Sequence, residues 1–136
     1  MNDTWRTPPA VFDPWNKIYH FEVDAAADET NHLCERYMGP GGFYEDALAQ
    51  KWLPAIHWCN PPYSRGMQSR FVERAIECAE GGGVVVLLLP ADTSTKLFHF
   101  VYNHPLCSVS FRRGRIKFVG APGPAKFGSM FVEVRK

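Results

Sequence analysis

No pair of cysteines in this sequence has metal-binding spacing. Cys34, Cys59, Cys78 and Cys107 form no CxxC or CxxxxC pair, and the histidines at 20, 32, 57, 99 and 104 show no ligand spacing either. A bound metal is therefore not expected, and reduced thiols in an intracellular protein are the plain reading. The N-terminal stretch MNDTWRTPP has no apolar signal core. The longest apolar run, Val84 to Leu89, is far too short to cross a bilayer. These absences lead us to expect a soluble, cytoplasmic protein with no membrane partner. A charge excess is missing as well: 15 basic residues stand against 14 acidic ones, for a formal charge of +1. Contact with nucleic acid would thus have to come from local clustering of charge. Internal repeats and low-complexity tracts are absent.

What is present is a chain of 136 residues, 46% of them hydrophobic and 14% aromatic. That is enough for one domain with a real core, and residues 1–136 are expected to form it. Thr7-Pro8-Pro9 favours extended backbone. Residues 10–19 suggest a short helix that Pro14 should interrupt. Residues 20–24 (HFEVD) look like a strand ending on an acid, and 25–45 look irregular around the Gly39-Pro40-Gly41-Gly42 loop. A helical turn is expected over 46–52 and a strand over 55–59. Residues 64–80 read as a helix with Met67, Phe71, Ala75 and Cys78 on one face and Arg65, Glu73, Arg74, Glu77 and Glu80 largely off it. Gly81-Gly82-Gly83 should end it. Val84–Leu89 has the unbroken apolarity of a central parallel strand buried on both faces, stopped by Pro90. Ser94 or Thr95 can cap a helix reaching about Tyr102. Strands are expected over 107–118 and 128–135, joined by the Gly120–Pro124 loop. This order predicts an α/β fold of three layers, with a mainly parallel sheet and a C-terminal antiparallel hairpin. Ligands in such sheets sit at the carboxyl ends of strands, where Asp24, Asn60 and Pro90 fall.

Asn60-Pro61-Pro62-Tyr63 carries the chemistry. It leaves a strand, since two successive prolines cannot donate to a ladder, and it precedes an amphipathic helix. An exocyclic amine on a nucleobase is a poor nucleophile because its lone pair is delocalised into the ring. Two acceptors on its two N–H groups draw it toward tetrahedral geometry. The Asn60 side-chain oxygen can be one and the Pro61 carbonyl the other, held in place by the rigid prolines. Tyr63 offers a flat face to the base, which must leave a duplex to arrive there. A rigid turn with no chemistry is the competing reading of the same four residues.

The motif resembles the (D/N/S)-P-P-(Y/F/W) signature of amino-methyltransferases. From about Trp5 to Val134 the chain is similar to the Dam-like family of small phage N6-adenine DNA methyltransferases. The matching stretches are WRTP at 5–8, FEVDAAA at 21–27, ALAQKW at 47–52, WCNPPY at 58–63, VVVLLLP at 84–90, FRRGRIKF at 111–118 and FGSMF at 127–131. The resemblance implies a Rossmann-like methyltransferase fold, S-adenosyl-L-methionine as cofactor, DNA as partner, and protection of phage DNA from restriction inside the host cell. It implies catalytic roles for Asn60, Pro61, Pro62 and Tyr63, with the amine attacking the sulfonium methyl group in line. Thr7 and Pro8 match an element beside the methionine moiety. Asp24 can accept from the cofactor's amino group or ribose, or cap a turn. Asp46 can accept from the cofactor's adenine amine, and Asn31 and Phe43 are further candidates. Where most methyltransferases carry a glycine-rich loop, this chain has Asp24-Ala25-Ala26-Ala27-Asp28, whose small alanines still admit a cofactor. Arg112, Arg113 and Arg115 suit DNA contacts, extended by Lys117 and Lys126. Phe127 corresponds to an aromatic that stacks on the flipped base, or is a core residue. Thr93 and Thr95 are weaker DNA candidates, and His57 is expected to be a core residue. Three rivals stay open: N4-cytosine methylation, a degenerate fold that binds nucleic acid without catalysis, and methylation of glutamine in proteins.

Overall fold

The computed structural model describes residues 5–64 and 66–136. Met1–Thr4 and Arg65, which the reading above placed in a polar N-terminus and on a helix's polar side, lie outside them. The elements are α1 (Pro9–Tyr19), β1 (Val23–Asp24), β2 (Arg36–Tyr37), β3 (Ile56–Cys59), α2 (Met67–Glu80), β4 (Val84–Pro90), α3 (Lys96–Asn103), β5 (Cys107–Phe111) and β6 (Ser129–Val134). The strands form one sheet in the order β2-β1-β3-β4-β6-β5. The first four are parallel, while β6 lies antiparallel between β4 and β5. The expected α/β class, the mainly parallel sheet and the antiparallel terminal pair are all present.

β4 explains how the layers are built. Val85, Leu87 and Leu89 pack with Phe71, Val72, Ala75 and Ile76 of α2 and with Phe98 and Val101 of α3. Val86 and Leu88, one residue out of phase, pack with Val11 and Phe12 of α1 and with Ile116, Phe118 and Ala125 of a loop. A strand covered on both faces has no polar side, hence its unbroken apolar run. Each fully buried Leu or Val there contributes roughly 1.5–3 kcal/mol. His57 is a core residue as expected: it is fully buried and stacked on Trp52 at 5.3 Å.

Several boundaries differ from expectation. α1 is not interrupted at Pro14; it runs unbroken to Tyr19. Pro14 removes a donor for the Ala10 carbonyl, and both residues are exposed, so water can serve that carbonyl. The first strand is only Val23–Asp24, and the stretch taken as irregular contains β2. Two residues are too few to show a period, and only pairing with β1 defines this strand. The strand expected over 107–118 ends at Phe111, and Gly114 at φ +78° takes a left-handed conformation that bends the chain out of the extended run. The helix expected from residue 64 begins at Met67. Thr95, as anticipated, caps α3 by accepting from the Phe98 amide at 3.1 Å. No helix of the described residues is long and apolar enough to cross a membrane.

Candidate active site

β1, β3 and β4 run in one direction, so Asp24, the residue after Cys59 and Pro90 reach the same rim of the sheet. From β1 the chain moves outward to β2 in one direction and to β3 and β4 in the other. The rim between β1 and β3 is therefore the switch point where α/β sheets bind ligands. Asp24 closes one side of it and Asn60 the other.

Asn60 is half-buried and oriented from two directions. Its Nδ2 donates to Thr7 Oγ1 at 3.1 Å, and its Oδ1 lies 3.5 Å from the Tyr63 hydroxyl. With the amide nitrogen donating to Thr7 and the oxygen accepting from the Tyr63 hydroxyl, a second lone pair on that oxygen can accept from a substrate amine. Behind the motif, Trp58 is fully buried and braced edge-on by Phe12 at 5.3 Å and by Phe21 at 5.5 Å. Tyr63 packs against Phe127 (5.7 Å) and Phe118 (6.1 Å). Burial raises its phenol above the ordinary value, so the ring is a neutral surface.

Two connected clefts flank the motif. The larger, about 290 Å³, is lined by Ala25, Ala26, Ala27, Asp46, Pro62 and Phe71, with Asp28 and Asn31 also on its wall. The smaller, about 40 Å³, shares Ala26, Asn31 and Pro62 with it and adds Thr7, Asp24, Trp58 and Asn60. The indole N–H of Trp58 has no acceptor among the described residues. Asp24 is 4% exposed, and burial raises its carboxyl to about 7, against the opposing pull of the Leu33 and Ala26 amides. Those amides bond it at 2.9 and 3.3 Å, so it is both a turn cap and an acceptor at the cleft. Asp46 accepts from the Leu48 amide at 2.9 Å while lining the larger cleft.

The alanine stretch supplies room and no donors. The amides of Ala25, Ala26 and Ala27 bond to Trp58 O, Asp24 Oδ1 and Met38 O. This differs from a glycine-rich loop that offers free N–H groups to an anion. Opposite it, Gly39 has φ +134°, and a Cβ there would stand 1.7 Å from the Ala27 carbonyl oxygen. Two residues that sequence reasoning missed shape the same cleft: Phe71 lines it, and Arg74 holds its wall by donating to the Leu48 carbonyl at 2.9 and 3.3 Å. Phe71 read as a core position and Arg74 as a solvated charge. Only the approach of α2 to the 46–49 turn gives them these roles.

A family profile described as DNA N-6-adenine-methyltransferase (Dam) matches residues 1–129. The chain belongs to this family. A DNA N-6-adenine-methyltransferase of Escherichia phage T1 is 38% identical over 100 residues, covering 72% of this chain and 40% of that protein. One from Haemophilus phage HP1 is 32% identical over 120 residues, covering 86% of this chain and 66% of that protein. The chain thus spans less than two thirds of either relative. The crystal structure of the 23S rRNA methyltransferase ErmE superimposes with a TM-score of 0.61 at 9% identity, covering 98% of this chain and 70% of that one. The architecture is therefore the Rossmann-like methyltransferase fold.

Within this Dam-family chain, the structure brings Thr7, Asp24, Ala25, Asp46 and the Asn60–Tyr63 motif to one rim. Pro8 stands apart as the start of α1: it is extended, and its carbonyl accepts from Val11 and Phe12. Phe43 is exposed beneath the Arg36 guanidinium at 4.7 Å and lines neither cleft. Arg112 and Arg113 are exposed on the turn after β5, whereas Arg115 reaches back to the Ala125 carbonyl at 3.5 Å. Phe127 is half-buried beside Tyr63 and Phe118.

Proposed function

We propose that this protein transfers a methyl group from S-adenosyl-L-methionine to the N6 amine of adenine in DNA, with the base flipped onto Asn60–Tyr63. The observation that carries the proposal is the orientation of Asn60 at the cleft, its nitrogen on Thr7 and its oxygen within reach of the Tyr63 hydroxyl. The residues fit the cofactor. The Ala25–Ala27 floor would hold the nucleoside, Asp46 would accept from its donors, and Asp24 with Thr7 would hold the amino-acid end. Bound there, the cofactor supplies an electrophilic methyl group. Asn60 Oδ1 and the Pro61 carbonyl accept the two N–H bonds of the adenine amine and strengthen their hold as it becomes tetrahedral. Asn60 has no titratable group, so it orients the amine, and the displaced proton leaves to solvent. Tyr63, backed by Phe127, faces the base, and Arg112, Arg113 and Arg115 contact DNA.

The test joins binding to chemistry. Calorimetry should show S-adenosylhomocysteine binding to the wild-type chain, and DNA offering adenine as its only amine-bearing base should be methylated. Asn60→Ala should lose turnover by about a hundredfold or more and keep its cofactor affinity and its circular dichroism spectrum. Retained turnover removes Asn60 from the chemistry. No transfer to that DNA, with transfer to a parallel DNA whose only amine-bearing base is cytosine, replaces the substrate, and a folded chain that binds no cofactor reduces the site to a nucleic-acid binder.

A further inference from the structure

The chain is nearly neutral, yet its charges are segregated. From Thr93 to Val132 there is no aspartate or glutamate, while Lys96, Arg112, Arg113, Arg115, Lys117 and Lys126 all fall there. This acid-free stretch contains α3, β5 and the turn after β5. It also carries large aromatic rings left in solvent. Phe111 is 57% exposed and Tyr102 58%. Both rings lie nearly parallel to Phe98, at centroid distances of 6.3 and 5.5 Å and interplanar angles of 21° and 14°. Phe98 itself lines a cleft of about 360 Å³ together with Tyr63, Pro90 and Thr95. Phe98 therefore joins the two exposed rings to the cleft beside Tyr63, and Phe111 directly precedes Arg112 and Arg113.

Topology places Phe111 on the rim of the site. β6 is antiparallel to both β4 and β5, so β5 points the same way as β4. Phe111 pairs with Met130, Met130 with Leu89, and Leu87 with Cys59. Phe111 is thus about level with the residues following Cys59. Three strand spacings separate β5 from β3, about 14 Å, a span of a few nucleotides at ~3.4 Å each.

We infer that Phe111, with Tyr102 and Phe98 behind it and Arg112 and Arg113 beside it, is a stacking platform for unpaired nucleotides of the DNA strand flanking the target base. Exposed rings with a cationic border are the combination that holds single strands: the rings take the base faces and the arginines take the phosphates. A paired duplex hides those faces, so the platform selects a strand that is single or locally opened. The inference rests on the proposed methyltransferase reading only for the direction in which the strand continues, toward Asn60.

The test is equilibrium binding of a fluorescent oligothymidine, and of a duplex of equal length, to the full chain without cofactor, across a salt series. Thymine has no exocyclic amine, so a failure of the methylation reading leaves this measurement intact. Phe111→Ala should weaken single-strand binding by about five- to a hundredfold. Duplex binding should change little, and so should the slope of log affinity against log salt, because no charge is lost. Phe111→Trp, which keeps an aromatic face, should bind at least as well as wild type. Arg112→Gln with Arg113→Gln should flatten the slope instead. The inference is overturned if the wild-type chain does not bind oligothymidine, if Phe111→Ala binds it normally, or if both forms of DNA weaken equally. It is also overturned if Phe111→Ala merely turns a self-associating chain into a monomer with unchanged DNA affinity.

Discussion

Thr7 and Asn60 stand 53 positions apart and share one hydrogen bond. Thr7 is buried, so its hydroxyl positions Asn60 from behind. Thr7→Ala should lower kcat roughly fivefold, in line with about 1 kcal/mol for one such bond, with KM for DNA unchanged. Thr7→Ser should restore it. Steady-state kinetics check both, and a loss of cofactor affinity with normal kcat would leave the hydroxyl a cofactor contact with no hold on Asn60. Asp24 makes a different prediction. Its carboxyl, raised from 3.8 to about 7 by burial, stays protonated in the folded chain over a range where the unfolded chain has ionised. Its contribution to stability is full below the unfolded value and is lost as pH rises through the folded one, on the order of 4 kcal/mol. Urea unfolding should show Asp24→Asn gaining stability relative to wild type as pH rises from about 4 to about 7. Parallel pH profiles would place the carboxyl's titration elsewhere.

At the scale of elements, the turn after β5 shows why a pattern of side chains can be right while its backbone is wrong. Three arginines in four positions were read on a strand edge, but Gly114 bends them into a turn. The turn frees Arg113 to solvent and lets Arg115 brace Ala125. Arg113→Ala should therefore reduce the slope of log affinity against log salt by about 0.7–0.9, one phosphate contact. An unchanged slope removes Arg113 from the DNA face. β4 and α2 were legible because apolar spacing over seven or more residues reports burial directly. β2 was not, since its two residues, Arg36 and Tyr37, gain their conformation from β1 alone. Pro14 misled because its cost depends on whether the Ala10 carbonyl reaches water, which only the outward face of α1 decides.

At the scale of the whole molecule, the two halves of the rim differ in what lines them. The β1–β3 side carries the alanine-floored cleft, and the β4–β5 side carries the acid-free stretch. A ligand that binds only the folded chain stabilises all of it. S-adenosylhomocysteine at about a hundred times its Kd should add about 2.7 kcal/mol, which for a chain of this size raises Tm by roughly 10 °C. No shift in scanning calorimetry would contradict the cofactor cleft.

The sequence by itself determined the α/β class, the burial of β4 on both faces and the position of Asn60–Tyr63 at a strand end, because these follow from local periodicity and from prolines that cannot join a ladder. It also carried the family resemblance that the profile match bears out. Tertiary structure alone decided which residues meet there: Thr7 behind Asn60, Phe71 and Arg74 at the alanine-floored cleft, and Phe111 on the same rim as Asn60. Such meetings depend on strand order and direction, and these are set by packing between residues distant in the chain, which no local pattern records.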